Sequence, residues 1–194
     1  MKQWIRTVLA GGLLALTLFG VAVADQLADG VAAYQRQDFA TAAQLIRPLA
    51  EQGNAVAQSV LGIMFEDGHG VAQDYAEAAK WLRQAADQDF AIAQTELGRM
   101  YFNGRGVSKD YTECARWWQR AANHGYAEAQ VDLGTLYDVG LGVPRDYVMS
   151  YMWYNLAAAQ GDRSAVEQRT ALVDRMTPNQ VAEAQRMARE WKPK

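Results

Sequence analysis

Cysteine is nearly absent from this 194-residue chain. Cys114 is the only one, which excludes an internal disulfide framework and any zinc site built from several thiolates. Histidine is almost as scarce: His69 and His124, with one thiol, make a poor donor set for a transition metal. No serine opens an S-x-x-K motif and no G-x-S-x-G elbow occurs, so the commonest nucleophile signatures are missing. Proline is limited to four residues, a composition that leans towards helix. Basic residues are in deficit, 19 against 22 acidic, and no basic run gathers them. Such a surface repels a phosphate backbone, and nucleic acid is excluded as an expected partner.

Long apolar runs are also lacking, except at the start. Lys2 and Arg6 precede a stretch from Val8 to Val21 that is apolar apart from Thr17, and Ala22-Val23-Ala24 follows. A positive start, an apolar middle and small residues at the end are the parts of a secretory signal peptide, with cleavage before Asp25. The alternative is an uncleaved anchor, since Val8 to Ala24 almost reaches the length of a thin bilayer. Residues 1–24 are therefore expected to be a leader, with the periplasm as destination, release beyond it as the alternative, and no stable membrane insertion after cleavage. Removing the leader takes away two basic residues and leaves 17 against 22 acidic, a net charge of −5. No cysteine lies near the cut for lipid attachment.

What the chain does have is self-similarity. Three copies of 36 residues begin at Ala55, Ala91 and Ala127, align without a gap and are identical at thirteen positions. A fixed period in the thirties is the mark of stacked helical hairpins. In the first copy Ala57, Leu61 and Phe65 recur at spacings of four, an apolar stripe on a short helix. Gly62, Gly98 and Gly134 fall inside that helix, where glycine costs about 1 kcal/mol relative to alanine; a close crossing by a neighbouring helix would account for them. Gly68 and Gly70, with their counterparts 36 and 72 residues on, fall where the helix must end. No strand precedes them, as a phosphate loop would require. Asp74, Asp110 and Asp146 are placed to cap the second helix, with Glu77 and Glu113 expected to complete a capping box in two copies. Tyr75, Ala78, Leu82 and Ala85 form its apolar face. Trp81, Trp117 and Trp153 repeat at 36, which marks them as packing. Helices this short are marginal alone in water, so the hairpins must stabilise one another.

The register extends outwards. Asp38 and Phe39 lie 36 residues ahead of Asp74 and Tyr75, so residues 25–54 are expected to be an N-terminal hairpin. Units follow at 55–90, 91–126 and 127–162, with capping helices over 163–194. In the last segment Thr177-Pro178-Asn179-Gln180 supplies a cap, a proline at the first helical position and a capping-box glutamine. Val181, Ala184, Ala188 and Trp191 then line one face.

The segment A-x-A-Q-x-x-L-G-x-x-[FY]-x-x-G-x-G-V-x-x-D-Y, with a later tryptophan and paired alanines, resembles the Sel-one-like repeat, a relative of the tetratricopeptide repeat. Ala55 to Gly70 with Val71, Asp74, Trp81, Ala85 and Ala86 carry it, as do their counterparts in the next two copies. The ending MTPNQVAEAQRMAREW looks like the terminal helix of exported bacterial members. The resemblance implies an all-α fold, a right-handed α-solenoid of antiparallel helix pairs, and an adaptor role through protein or peptide binding. A cysteine-rich branch of the family is linked to β-lactam compounds, and the unpaired Cys114 departs from it.

The same resemblance implies that first helices line a concave groove. Positions that vary there between copies are the candidate partner contacts: Ser59, Ile63 and Glu66; Thr95, Arg99, Phe102 and Asn103; Val131, Thr135 and Asp138. Arg99 and Phe102 lead, since arginine and aromatics dominate binding hot spots. The bland alternative for each is unconstrained surface. His69 and His124 are expected to be solvated turn residues. Cys114 is expected to be a small core residue, with a disulfide-linked dimer as the alternative. No catalytic residue, metal or cofactor is expected. The competing function classes are an enzyme acting on cell-wall material or a β-lactam, and a self-associating envelope protein.

Overall fold

In a computed structural model the chain is described over residues 25–194; the expected leader, residues 1–24, lies outside them. Ten helices and no strand occur among the described residues: α1 (25–35), α2 (Phe39–Glu51), α3 (Ala55–Asp67), α4 (Tyr75–Asp87), α5 (Ala91–Asn103), α6 (Tyr111–Asn123), α7 (Ala127–Val139), α8 (Tyr147–Ala159), α9 (Arg163–Val173) and α10 (Pro178–Glu190). The three repeats become the pairs α3–α4, α5–α6 and α7–α8, and every helix in them is 13 residues long. From α2 to α9 each helix packs chiefly on its neighbours in sequence, and the pairs stack into a right-handed solenoid. The last element departs from this rule, since α10 lies on α8 rather than pairing broadly with α9.

The stripe read from the sequence is the core. Leu61, Leu97 and Leu133 are fully buried, as are Ala57, Ala93 and Ala129 one turn earlier. On the second helices Ala78, Leu82 and Ala85 are equally enclosed. Trp117 and Trp153 are buried, while Trp81, in the first copy, is half-buried. Burial of this kind contributes roughly 25 cal/mol per Å² of apolar area. In these units it accrues between helices, both within a hairpin and between neighbouring hairpins, because 13-residue helices have too little surface of their own to form a core.

The glycines explain how closely the helices approach. A methyl group built on Gly62 would lie 2.7 Å from the Leu82 side chain, one on Gly98 2.5 Å from Trp118, and one on Gly134 2.8 Å from Tyr154. Each obstruction is the same position of the unit's own second helix, so these glycines let the two helices of a hairpin cross. Gly68, Gly104 and Gly140 end the first helices in the left-handed conformation, which glycine adopts without strain. Two residues on, Gly70, Gly106 and Gly142 press against the backbone carbonyls of Phe39, Tyr75 and Tyr111. Those carbonyls open the second helix of the preceding unit, so this contact joins one unit to the next.

A second join comes from the glutamine of each A-x-A-Q signature. Gln58 Nε2 donates to the Ala50 carbonyl at 3.1 Å, Gln94 Nε2 to Ala86 at 3.1 Å and Gln130 Nε2 to Ala122 at 3.2 Å. Each bond brings a second donor to a carbonyl in the last turn of the preceding second helix, which also accepts from the turn amide three residues on. Gln88 and Gln160 complete the pattern by donating to Gln58 Oε1 at 2.7 Å and Gln130 Oε1 at 2.9 Å. In the middle copy His124 occupies that place, and Gln94 Oε1 is buried without a partner.

Asp74, Asp110 and Asp146 cap their helices as expected, each carboxylate accepting from the amides two and three residues on. The expected capping boxes at Glu77 and Glu113 do not form. The backbone amides of Asp74 and Asp110, which the glutamates would have served, already donate to the Phe65 and Tyr101 carbonyls at 2.9 and 3.0 Å. Glu77 instead pairs with Lys80 at 3.2 Å and Glu113 with Arg116 at 3.3 Å. The box at Thr177 and Gln180 is present in full, because no earlier helix presents a carbonyl to that cap.

Candidate functional site

Two recesses open between successive first helices, and Arg99 of α5 borders both. One, of about 290 Å³, lies between α5 and α7. Its apolar walls are Phe102, Trp118, Leu136 and Leu141, and its polar groups are Arg99, Asn103, Asp132 and Thr135. The other, also about 290 Å³, lies between α3 and α5, with Ile63, Glu66 and Glu96 facing Arg99 and Arg105.

The walls are built rigidly. Trp118 Nε1 donates to the Thr95 carbonyl at 3.0 Å, and the Phe102 ring stacks on the indole with centroids 5.7 Å apart. Tyr111 meets the same phenyl ring edge-on at 5.3 Å. Phe102 is thus half structural and half exposed wall. Arg99 is not a free cation: its guanidinium pairs with Glu96 at 2.9 Å and with Glu128 of the next unit at 2.5 Å. Burial works to lower its pKa, but Glu96 and Glu128 outweigh burial and leave it raised. Similar pairs bridge the other units, Glu66 to Arg105 at 3.4 Å and Asp138 to Arg175 of the turn after α9 at 2.6 Å. Exposed pairs of this sort stabilise by at most about 1 kcal/mol each.

Acidity dominates the face. Burial holds Glu96 above its usual range, with Arg99 opposing and Glu66 and Glu128 adding to the shift. Asp132 is pushed up to about 6, by burial first, with Arg99 opposing and Glu128 reinforcing.

Of the ten candidate contacts, the structure brings Arg99, Phe102, Asn103 and Thr135 together around the α5–α7 recess and places Ile63 and Glu66 in the α3–α5 recess. Asp138 is engaged by Arg175. Ser59 and Thr95 are corrected: both are at most 1 % exposed and cannot touch a partner. Their position lies under the second helix, where Thr95 Oγ1 donates to the Ala91 carbonyl. Val131, at the same position of the third copy, packs beside Tyr151 and Tyr154. Asp132, Trp118, Leu136 and Leu141 were not among the sequence candidates. One signal was available for Asp132: the copies carry Val60, Glu96 and Asp132 at that position, a change of charge beside a fixed leucine.

The two histidines divide. His69 is half-buried rather than solvated, its ring stacked on Phe39 with centroids 4.0 Å apart. His124 is exposed, and its Nδ1 lies 2.9 Å from the Lys194 carbonyl. Cys114 is fully buried and unpaired, its pKa raised by burial and then by Asp132 and Asp110. Among the described residues no group of three or more histidine, cysteine or acidic side chains is set to hold a metal ion, and no helix is long and apolar enough to cross a membrane.

Comparison with known proteins places these features in context. The Sel1 repeat model matches residues 55–90, 91–126 and 127–162, the three copies read from the sequence. A Sel1 repeat protein from Oxalobacter formigenes has a similar structure, with TM-score 0.74 and 30% identity over 84% of this chain and 70% of that one. The protein c5321, a protective antigen of uropathogenic Escherichia coli strains displaying an SLR fold, aligns with TM-score 0.61 and 27% identity over 87% of this chain but only 45% of its own length. Helicobacter pylori cysteine rich protein B shares the fold at TM-score 0.50 and 19% identity, over 72% of this chain and 93% of that one. No curated protein sequence matches the chain.

Proposed function

The chain belongs to the Sel1 repeat family, and from that premise we propose that it is an exported adaptor that holds an extended segment of a protein partner along its row of first helices. Repeat scaffolds of this family support protein–protein interaction in general. One observation carries it: the α5–α7 recess, with aromatic walls locked by Trp118 and Phe102 and polar groups at its rim. Concave apolar sites with a few fixed polar groups are where proteins take their ligands. Export is supported by the leader pattern of residues 1–24. The disulfide pattern of the cysteine-rich branch has no counterpart, because the one thiol is buried at Cys114.

Photo-crosslinking in cells tests the groove. A crosslinker at Asn103 or Thr135, both exposed on the rim, is expected to capture one identifiable protein, with a contact peptide that can be mapped. The same reagent at Lys80 or Arg116, exposed positions on second helices, is expected to capture none of it. Equal capture from both sets would remove the groove. Export is checked separately by the amino terminus of the accumulated protein, expected to be Asp25.

A further inference from the structure

The α5–α7 recess has a chemical preference that follows from which of its charges are already matched. Arg99, its one cation, is held by Glu96 and Glu128. Asp132 makes no hydrogen bond or ion pair among the described residues; the charged or titratable groups near it are Arg99 from α5, Glu128 on its own helix and Cys114 from α6. Arg99 and Asp132 are the charged groups that line the recess, and because Arg99 is already taken by Glu96 and Glu128, Asp132 is the charge left unmatched. A partly buried carboxylate without a partner is costly, and an arriving cation would relieve that cost.

The shape narrows the guest further. A volume of about 290 Å³ is at the lower edge of the roughly 300–1,000 Å³ typical of small-molecule pockets, so the recess suits one side chain. Phe102, Trp118, Leu136 and Leu141 offer apolar wall for a stem, and the aromatic faces attract a cation. Lysine and arginine combine an apolar stem with a charged head. We propose that the recess takes a lysine or arginine side chain of the bound segment, its stem along Phe102 and Leu141 and its head on Asp132. This rests on the groove reading and adds the chemistry of its guest. An anion would meet the unmatched Asp132 carboxylate, and a purely apolar guest would bury Asp132 more deeply without matching it.

The test uses small probes, so that it does not depend on a peptide being found. Methyl resonances of Leu136 and Leu141 are followed while n-butylammonium, n-butanol or butanesulfonate is added to the purified protein. Butylammonium is expected to shift both residues and to bind at least tenfold more tightly than butanol, with butanesulfonate without effect. Its affinity is expected to fall at least tenfold in Asp132→Asn, and to fall on going from pH 7.5 to pH 5 as Asp132 takes up a proton. Equal binding of butanol and butylammonium, or an Asp132→Asn protein that binds the cation as well as the parent does, would overturn the proposal. Should that variant fold poorly in a thermal melt, the comparison of probes and the pH series on the parent protein decide alone. A negative titration leaves groove binding standing. A positive titration with no partner captured from Asn103 or Thr135 would sink the adaptor reading instead.

Discussion

Single residues carry the departures from symmetry, and these are where stability and function diverge. Asp132 has its pKa raised to about 6, against roughly 3.9 for an unperturbed aspartate. The folded state therefore holds a proton that the unfolded state has lost between those values, and stability falls as pH rises from about 4 to about 6. Asp132→Asn is expected to match the parent at pH 4 and to exceed it at pH 7.5 by between about 1 and 3 kcal/mol. Urea denaturation at the two pH values checks this, and an asparagine variant less stable at pH 7.5 would show that the carboxylate has a partner. His124 is the second departure. His124→Gln would restore the side chain found at Gln88 and Gln160 and offer a donor to the orphaned Gln94 Oε1, with an expected gain of about 1 kcal/mol. An unchanged urea midpoint would mean that the glutamine ladder does not stabilise. Neither effect could be read from the sequence alone. The substitutions are visible there, but whether a variable position faces a partner, a cavity or the core depends on helix rotation, which is why Ser59 and Thr95 were misplaced.

At the level of helices and turns the sequence was far more informative, because its signals there are local. Aspartates marked the starts of the second helices, glycines the ends of the first, and Leu61, Leu97 and Leu133 the buried stripe. The capping boxes failed for a reason no local pattern contains: the amide of the capping residue is consumed by a carbonyl of the preceding helix. The glycines themselves fall into kinds that substitution separates. Gly125 has positive φ but nothing nearer than 3.7 Å to an added methyl, so Gly125→Ala is expected to cost about 1 kcal/mol of backbone strain. Gly106 has positive φ and faces the Tyr75 backbone carbonyl, which cannot move aside. Gly106→Ala is expected to cost more than about 3 kcal/mol. Comparable melting temperatures for the two variants would refute the distinction.

Over the whole molecule, stability is a sum of unit and interface terms, and the far end is finished by a helix that breaks the pattern. α10 covers α8 by setting Ala184 among Tyr151 and Tyr154 and Ala188 and Trp191 beside Trp153. A chain ending at Met176 would uncover these aromatic rings. It is expected to melt at lower temperature and to associate, visible as a concentration-dependent sedimentation coefficient; a monomeric truncation of unchanged stability would show that α10 is dispensable. The solenoid was legible in the sequence because its repeat is exact in length. The position of α10 was not, since its capping signals mark where it starts and leave open which neighbour it covers. The junctions have a further consequence. Where Gly70, Gly106 and Gly142 meet the unit before them, main chain rests on main chain, so the pitch of the stack is indifferent to which side chains vary. Mutation can therefore recolour the docking face one unit at a time while the distance from one notch to the next stays the same, and partners would be sorted by the spacing of their anchoring groups as much as by the groups themselves.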